Sequence, residues 1–358
     1  MIPIFAPYIG NSEEKAILRV LKSKFWASGA GIGYVKKFEN SFKEYVKSKE
    51  CIAVNSGTAA LNLSLSLLDI KNKEVILPSL TFVSTANAII LNGGKPVFVD
   101  VEPHSLCIDP EKIKKAITSK TRAILPVHFG GMPANLKEIN DICAENNLQL
   151  VEDAAHAAGS SYNQKKIGSN NSLVCFSFHP VKNLAMPTGG LIAINSSSNK
   201  KIAKLLRAKR WCGITDRRGS NYDVKEIGWN YYMNEFSAAI GIIQLKKLDK
   251  MNNVRRKIAH QFNQNLTVDN KIPFDTDCSY HLYWIMVKNR NKFMKNLKNA
   301  GIQTVVHYRP IHTMTAYKSQ KKLPHTEKAG HEIVSIPIHP SLSNEDVEKI
   351  IKKVNKYA

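Results

Sequence analysis

The sequence predicts an α/β fold built on a large, mostly parallel sheet, and three observations carry that expectation. Short apolar runs alternate with amphipathic helical stretches through the first half of the chain, the arrangement of strands joined by crossover helices. The runs are nearly continuous in apolar character, as in strands covered on both faces. The chain has 358 residues, more than one core usually serves, so a second, smaller unit is expected.

The elements follow in order. A first helix is predicted over residues 12–24, with Ser12 as N-cap, Glu14 in the first turn, and Ile17, Leu18 and Leu21 as its apolar face. The glycine-rich stretch Gly29-Ala-Gly-Ile-Gly33 precedes a second helix over 35–47. It is a loop and not a dinucleotide fingerprint, because it follows no strand and its third glycine is displaced. Strands are predicted over 51–54, 75–77, 96–99, 123–127, 148–151, 173–178 and 191–194, with helices over 59–68, 84–92, 110–117 and 135–145 between them. The seventh strand follows the sixth without room for a crossover helix, so it is expected to be antiparallel. Residues 195–200 read as a polar turn and 234–248 as a long helix. Beyond it the chain is more basic and less regular, with strands over 283–287 and 304–307 and a last helix over 344–355. These features divide the chain into a large unit, 1–248, and a small C-terminal α+β unit, 249–358.

Bulk properties narrow the class. An apolar fraction of 43% and a charged fraction of 22% suit a water-exposed globular protein. No apolar run is long enough for a membrane span, and the N-terminus lacks a signal-peptide pattern, so a cytoplasmic location is expected. The six cysteines are scattered and show no zinc-ligand spacing, so neither a metal site nor a disulfide framework is expected. The net charge of +22 is spread over the chain, with no dense basic block carrying interleaved aromatics. It argues against a nucleic-acid reader and favours a phosphate-bearing substrate.

Three segments could carry chemistry. Asn55-Ser-Gly-Thr-Ala-Ala60 lies between a strand and a helix, where outward N–H groups and the helix dipole favour an anion. Gly57 and Thr58 would hold a phosphate there, or the segment is a plain helix cap. Glu152-Asp-Ala-Ala-His-Ala157 lies at the C-terminal end of a strand, the edge where open α/β sheets bind ligands. Asp153 would meet a cation such as a pyridinium nitrogen, or cap a helix. In Phe176-Ser-Phe-His-Pro-Val-Lys-Asn-Leu, Lys182 follows a buried strand. A lysine held in such a site can have its pKa lowered and form an imine with an aldehyde, or Lys182 is a surface lysine in a loop. Pro180 and Pro187 stiffen its loop, and Gly189-Gly190 permits close backbone approach.

Taken together, these segments resemble the DegT/DnrJ/StrS-type sugar aminotransferases, which are fold-type-I pyridoxal-phosphate enzymes. The likeness covers nearly the whole chain, through Pro3–Ile9, Asn55–Leu61, Pro78–Val83, Pro126-Val-His128, Glu152–Ala157, Ser177–Lys182, Gly228-Trp-Asn230, Val306–Pro310 and Ser335-Ile-Pro337. It implies that Lys182 forms the Schiff base with pyridoxal 5'-phosphate and then moves the proton. It implies that Asp153 keeps the pyridine nitrogen protonated, and that Gly57, Thr58 and Ser177 hold the phosphate. Phe82 would stack on the ring and His156 would lie near the ring hydroxyl; core packing is the alternative for both. Asn230 would reach the phosphate in a neighbouring subunit, making a homodimer obligatory. His307 and Tyr308 would line the substrate pocket, with His312 a further candidate.

The resemblance implies an amino donor, glutamate, and an acceptor that is a keto sugar on a nucleoside diphosphate. Relatives that dehydrate sugars instead carry histidine at the lysine position, so Lys182 argues for amino transfer. A non-catalytic regulator is the other alternative. Two departures bear on the substrate. Ala185-Met-Pro-Thr-Gly-Gly190 replaces a common Thr-Thr-Gly-Glu-Gly-Gly run, so Thr188 stands where an acid is usual, and Tyr232 stands where arginine is usual.

Overall fold

The computed structural model describes residues 1–169, 172–317 and 319–358. Seven strands form its main sheet: β1 Glu50–Val54, β2 Glu74–Pro78, β3 Lys95–Val99, β4 Thr121–Ile124, β5 Gln149–Asp153, β6 Leu173–Ser177 and β7 Gly190–Ile194. They lie side by side in the order β1, β7, β6, β5, β4, β2, β3. As expected from the short connection, β7 runs antiparallel to both neighbours, while the β6–β5, β5–β4, β4–β2 and β2–β3 pairings are parallel. Because β7 alone is reversed, β1 and β6 end at the same edge. Val54 and Ser177 are both in register with Gly190 there.

Both faces of the sheet are buried, and alternation along each strand shows how. Ile52 and Val54 of β1 and Ile192 and Ile194 of β7 join one apolar layer with helices α3 Gly57–Leu65 and α4 Val83–Leu91. Cys51, Ala53, Leu191 and Ala193 turn to the other face. There they meet Phe38 and Phe42 of helix α2, Tyr34–Val46. This period of two is what a strand buried on both sides requires.

Helix α1 spans Asn11–Ser23 and departs from its sequence reading. Gly10, not Ser12, stands at the N-cap, and its N–H donates to Glu13 Oε2 at 3.0 Å. Glu13, Ala16 and Val20 pack inward, whereas Ile17, Leu18 and Leu21 face outward.

Helix α5 spans Pro110–Ala116, α6 Leu136–Glu145 and α7 Asn199–Lys209; α7 begins inside the stretch read as a polar turn. A hairpin of β8 Ile214–Arg218 and β9 Asn221–Val224 follows. The long helix α8 runs from Glu235 to Asn265, past the predicted end at 248. Its buried positions continue as Met251, Asn252, Arg255, Ile258, Ala259 and Phe262 at helical spacing. Two of these are polar, which breaks the apolar stripe that a sequence reading follows. Residue 248 therefore lies inside a helix, and one apolar cluster joins Ile76, Val99 and Ile124 of the main sheet to Ile258, Trp284 and Ile350 of the C-terminal part.

That part carries β10 Tyr283–Met286, helix α9 Arg290–Asn299, helix α10 Pro324–Glu332, β11 Ile333–Ile336 and helix α11 Asn344–Tyr357. β10 pairs antiparallel with β11. The strand predicted over 304–307 is reduced to a single bridge between Val305 and Ser335.

Candidate active site

The sheet edge that gathers β1, β5, β6 and the start of β7 also gathers the candidate residues. After β1 the chain turns through Ser56, whose side chain caps α3 by accepting from the Ala59 N–H at 3.1 Å. Gly57 is the first residue of α3, and a Cβ there would stand 2.7 Å from Ser177 Cβ. A Cβ on Gly190 would stand 2.3 Å from the Ser56 carbonyl carbon. Glycine at both positions lets three strands close around a helix N-terminus without filling the space before it. Thr58 is exposed and Ser177 half-buried at this edge. The edge thus has the N–H groups, hydroxyls and room of an anion cradle.

Asp153 ends β5 and is buried. Its carboxylate accepts from the Thr85 hydroxyl at 2.9 Å and from the Ala155 N–H at 3.1 Å. Burial still pushes its pKa up, against the opposing pull of those bonds and of Lys182. A cation placed against it would restore the charged form.

Lys182 is half-buried as a residue, yet its amine sits among enough protein that burial pushes its pKa down to about 8, with Asp153 opposing the shift. Its Nζ lies 3.4 Å from His281 Nε2. The loop is held from below by Asn183, whose Nδ2 donates to Asn252 Oδ1 at 3.0 Å and to the Ser279 carbonyl at 2.9 Å.

His156 is buried, and its Nδ1 accepts from the Gly130 N–H at 3.2 Å. That bond leaves Nε2 to donate to Tyr308 Oη, 3.1 Å away. Burial and the nearby Lys182 hold His156 well below the ordinary histidine range, so the ring is neutral at pH 7. Burial, then Asp153, pushes the Tyr308 hydroxyl upward. His307 bonds Ser335 Oγ through Nδ1 at 2.9 Å and is pushed down to about 4, chiefly by burial. Phe82 is 55% exposed at the start of α4, with its ring centroid 6.0 Å from that of Tyr308. A surface-facing phenylalanine here is not core packing.

Two candidates stand apart. Asn230 is exposed; its carbonyl accepts from Asn55 Nδ2 at 3.4 Å, beside the anion cradle. His312 is committed elsewhere: its Nδ1 lies 2.6 Å from Ser79 Oγ and its Nε2 3.4 Å from Glu327. No contact among the described residues ties it to Lys182.

The structure adds residues that sequence reading missed. Thr85 orients Asp153, and His281 contacts Lys182. Phe5, from the N-terminal arm, stacks on His281 with ring centroids 5.5 Å apart. Thr85 lies two residues past the Pro78–Val83 segment and carries no motif of its own. His281 sits in an irregular stretch with no periodicity to follow, although an ionisable residue flanked by Tyr280, Leu282, Tyr283 and Trp284 is a signal of burial.

A seven-stranded α/β sheet with a lysine, a buried aspartate and an anion cradle along one edge defines a fold-type-I transferase. The chain belongs to the DegT/DnrJ/EryC1/StrS aminotransferase family, whose model matches residues 7–355. It is 36% identical over 380 residues to an uncharacterized protein of Methanocaldococcus jannaschii, covering 99% of this chain and 97% of that one. Among solved structures it is similar to the aminotransferase TlmJ from Streptoalloteichus hindustanus. Identity there is 31% and the TM-score 0.93, with 99% of this chain and 98% of the other covered. It is also similar to Helicobacter pylori PseC, an aminotransferase involved in the biosynthesis of pseudoaminic acid. That match has 28% identity, a TM-score of 0.92, and the same 99% and 98% coverage.

Proposed function

We propose that this protein transfers an amino group from glutamate to a keto-deoxy sugar carried on a nucleoside diphosphate, using pyridoxal 5'-phosphate. The observation that carries this reading is the Lys182 amine, lowered to about 8 and held within electrostatic reach of buried Asp153. The cofactor fits this chain's residues. Gly57, Thr58 and Ser177 supply a phosphate cradle that a Cβ would fill, and Asp153 supplies a buried carboxylate suited to a ring N–H⁺. When bound, pyridoxal phosphate supplies the aldehyde that an amine attacks and the electron sink that stabilises charge on the amino-bearing carbon.

The chain's own residues do the rest. Lowering from 10.5 to about 8 raises the unprotonated share of Lys182 near neutral pH far above that of an ordinary lysine, so Nζ can attack an aldehyde and later accept or return a proton. Phe82 offers an exposed ring face beside Tyr308. His156 stays neutral and donates, and His307 and Tyr308 form the wall on the C-terminal side. An amino-deoxy sugar destined for a surface polysaccharide or a glycosylated product is the expected product, made in the cytoplasm.

A homodimer with a shared site is part of this reading. The outward residues Leu18, Leu21 and Trp26 near α1, each about half exposed, support it, because apolar patches of this kind mark interfaces. Asn230 lies exposed beside the cradle, where a partner's site could be reached.

The purified protein should be yellow, with a band near ~420 nm that borohydride removes while fixing the cofactor on Lys182. A panel of nucleotide-linked keto sugars with glutamate, read by mass spectrometry, then identifies the acceptor. A colourless protein that takes up no pyridoxal phosphate would sink the reading.

A further inference from the structure

Arg255 lies in the buried stripe of α8 and is 5% exposed. Its Nε and Nη1 are buried with no hydrogen-bond partner, and no carboxylate pairs with it among the described residues. The other buried arginine, Arg210, leaves its Nε without a partner but has a carboxylate to meet its charge, with Nη1 2.6 Å from Glu39 Oε1 and 2.8 Å from the Ala53 carbonyl. An unpaired guanidinium in the interior is costly, and a folded chain keeps one where an anion is to be met.

Its position says which anion site. Asn252 and Arg255 are three residues apart and share one face of α8. Asn252 bonds Asn183, the neighbour of Lys182. The adjacent Arg256 donates through Nε to the Cys278 carbonyl at 3.0 Å, pinning the segment that carries His281. His281 in turn touches Lys182 and stands close enough to Arg255 to feel its charge. His281 Nδ1 is also buried without a partner. If Nε2 accepts from the Lys182 amine, Nδ1 carries the proton and faces no acceptor. Unmatched donors from two elements thus sit on the α8 side of the lysine, distinct from the phosphate cradle at the sheet edge.

We propose that Arg255, with His281 as a second donor, forms a carboxylate subsite that positions the amino donor at Lys182. The inference rests on the reading that the donor is glutamate, and it adds where a donor carboxylate is held. A guanidinium can receive a carboxylate through two parallel N–H···O bonds, which fixes orientation as well as affinity.

The test uses the pyridoxal-phosphate-loaded protein and glutarate, a five-carbon dicarboxylate without the amine, titrated calorimetrically into wild type, Arg255→Met and Arg255→Lys. Glutarate should bind wild type and lose about tenfold to a hundredfold in affinity in Arg255→Met. Arg255→Lys should recover part of that loss by keeping the charge without the fork. The ligand-free Tm of Arg255→Met should hold or rise, because an unpaired buried charge is gone. Unchanged glutarate affinity in Arg255→Met overturns the subsite. If that variant does not fold, Arg255→Lys decides alone, since affinity equal to wild type overturns it equally. Bleaching of the ~420 nm band by glutamate separates the two readings. Glutarate binding through Arg255 without bleaching leaves the subsite standing and removes glutamate as donor. Equal bleaching, at equal glutamate concentrations, in wild type and Arg255→Met keeps the donor and removes the subsite.

Discussion

Asp153 and Arg255 are both buried charges within electrostatic reach of the groups around Lys182, but their surroundings differ. Asp153 ends a central strand, accepts from Thr85 and Ala155, and has Lys182 to oppose its desolvation. Arg255 has two nitrogens with no partner, and burial alone acts on it, lowering its pKa to about 9. The first charge is supported by the fold before anything binds. The second is left for a ligand to complete. A site organised this way would hold its cofactor on the rigid sheet edge and its exchanging substrate on the side packed against α8.

The largest expected effect removes what both regions serve. Lys182→Ala should lose turnover by at least about 10³-fold while the protein stays folded and soluble, measured as amino-sugar product against time. Retained activity would show that the lysine is not the acting amine, and the comparison of its two sides would lose its centre.

Asp153→Asn comes next and separates the regions directly. Turnover should fall by about 10²- to 10³-fold, the scale of removing one buried charge aimed at a reacting group. Glutarate affinity should stay within about twofold of wild type, since Asp153 is not among the groups acting on His281. Arg255→Met should do the reverse, weakening glutarate and sparing the ~420 nm band. Calorimetry and absorbance on the two variants read this double dissociation. Variants that each weaken both would merge the regions into one network.

Gly190→Ala probes how rigid the sheet edge is. The new Cβ would stand 2.3 Å from backbone atoms of Ser56, which no side-chain rotation relieves. A loss of about 1–3 kcal/mol in stability is expected, with weaker retention of pyridoxal phosphate. Urea unfolding and cofactor titration measure the two. Gly219→Ala is a control for added bulk alone: that glycine, in the β8–β9 hairpin, has open space around it, though its positive φ makes it a strained one.

The sheet-edge half was legible in the sequence for a physical reason. Strand periodicity, a glycine pair, an aspartate at a strand end and a lysine after an apolar run are all local, and each is dictated by a few neighbouring residues. The Gly189-Gly190 reading is a case in point, since Gly190 does allow the close approach to Ser56. The α8 half was not legible, because its pieces come from residues 5, 183, 252, 255 and 281 and meet only through packing. Asn252 and Arg255 also interrupt the apolar stripe, which shortened the predicted helix to 248 and hid the element that carries them. The apolar face of α1 was read as a stripe, but its outward direction was not, for a related reason: periodicity reports a stripe but not which layer, or which molecule, covers it. His312 shows what a motif leaves out: the sequence does not reveal that its ring nitrogens face Ser79 and Glu327.

The smallest effect follows from the Lys182 amine itself, and its sign can be worked out. In the cofactor-free folded protein the amine titrates near about 8, whereas in the unfolded chain it returns to its ordinary value of 10.5. Below pH 8 both states carry the proton, and the folded state bears the full penalty of a buried ammonium. Between 8 and 10.5 the unfolded chain binds more protons, so stability rises with pH through that window. The slope from one group is at most about 1.4 kcal/mol per pH unit. His156, His281 and His307 are all held below the ordinary histidine value, so they do not titrate there. Urea midpoints at pH 8 and pH 9 should therefore rise for wild type relative to Lys182→Met, whose own curve lacks this term. Parallel curves would mean that the amine keeps its ordinary basicity, and that the α8 side of the site is wetter than its unpartnered donors imply.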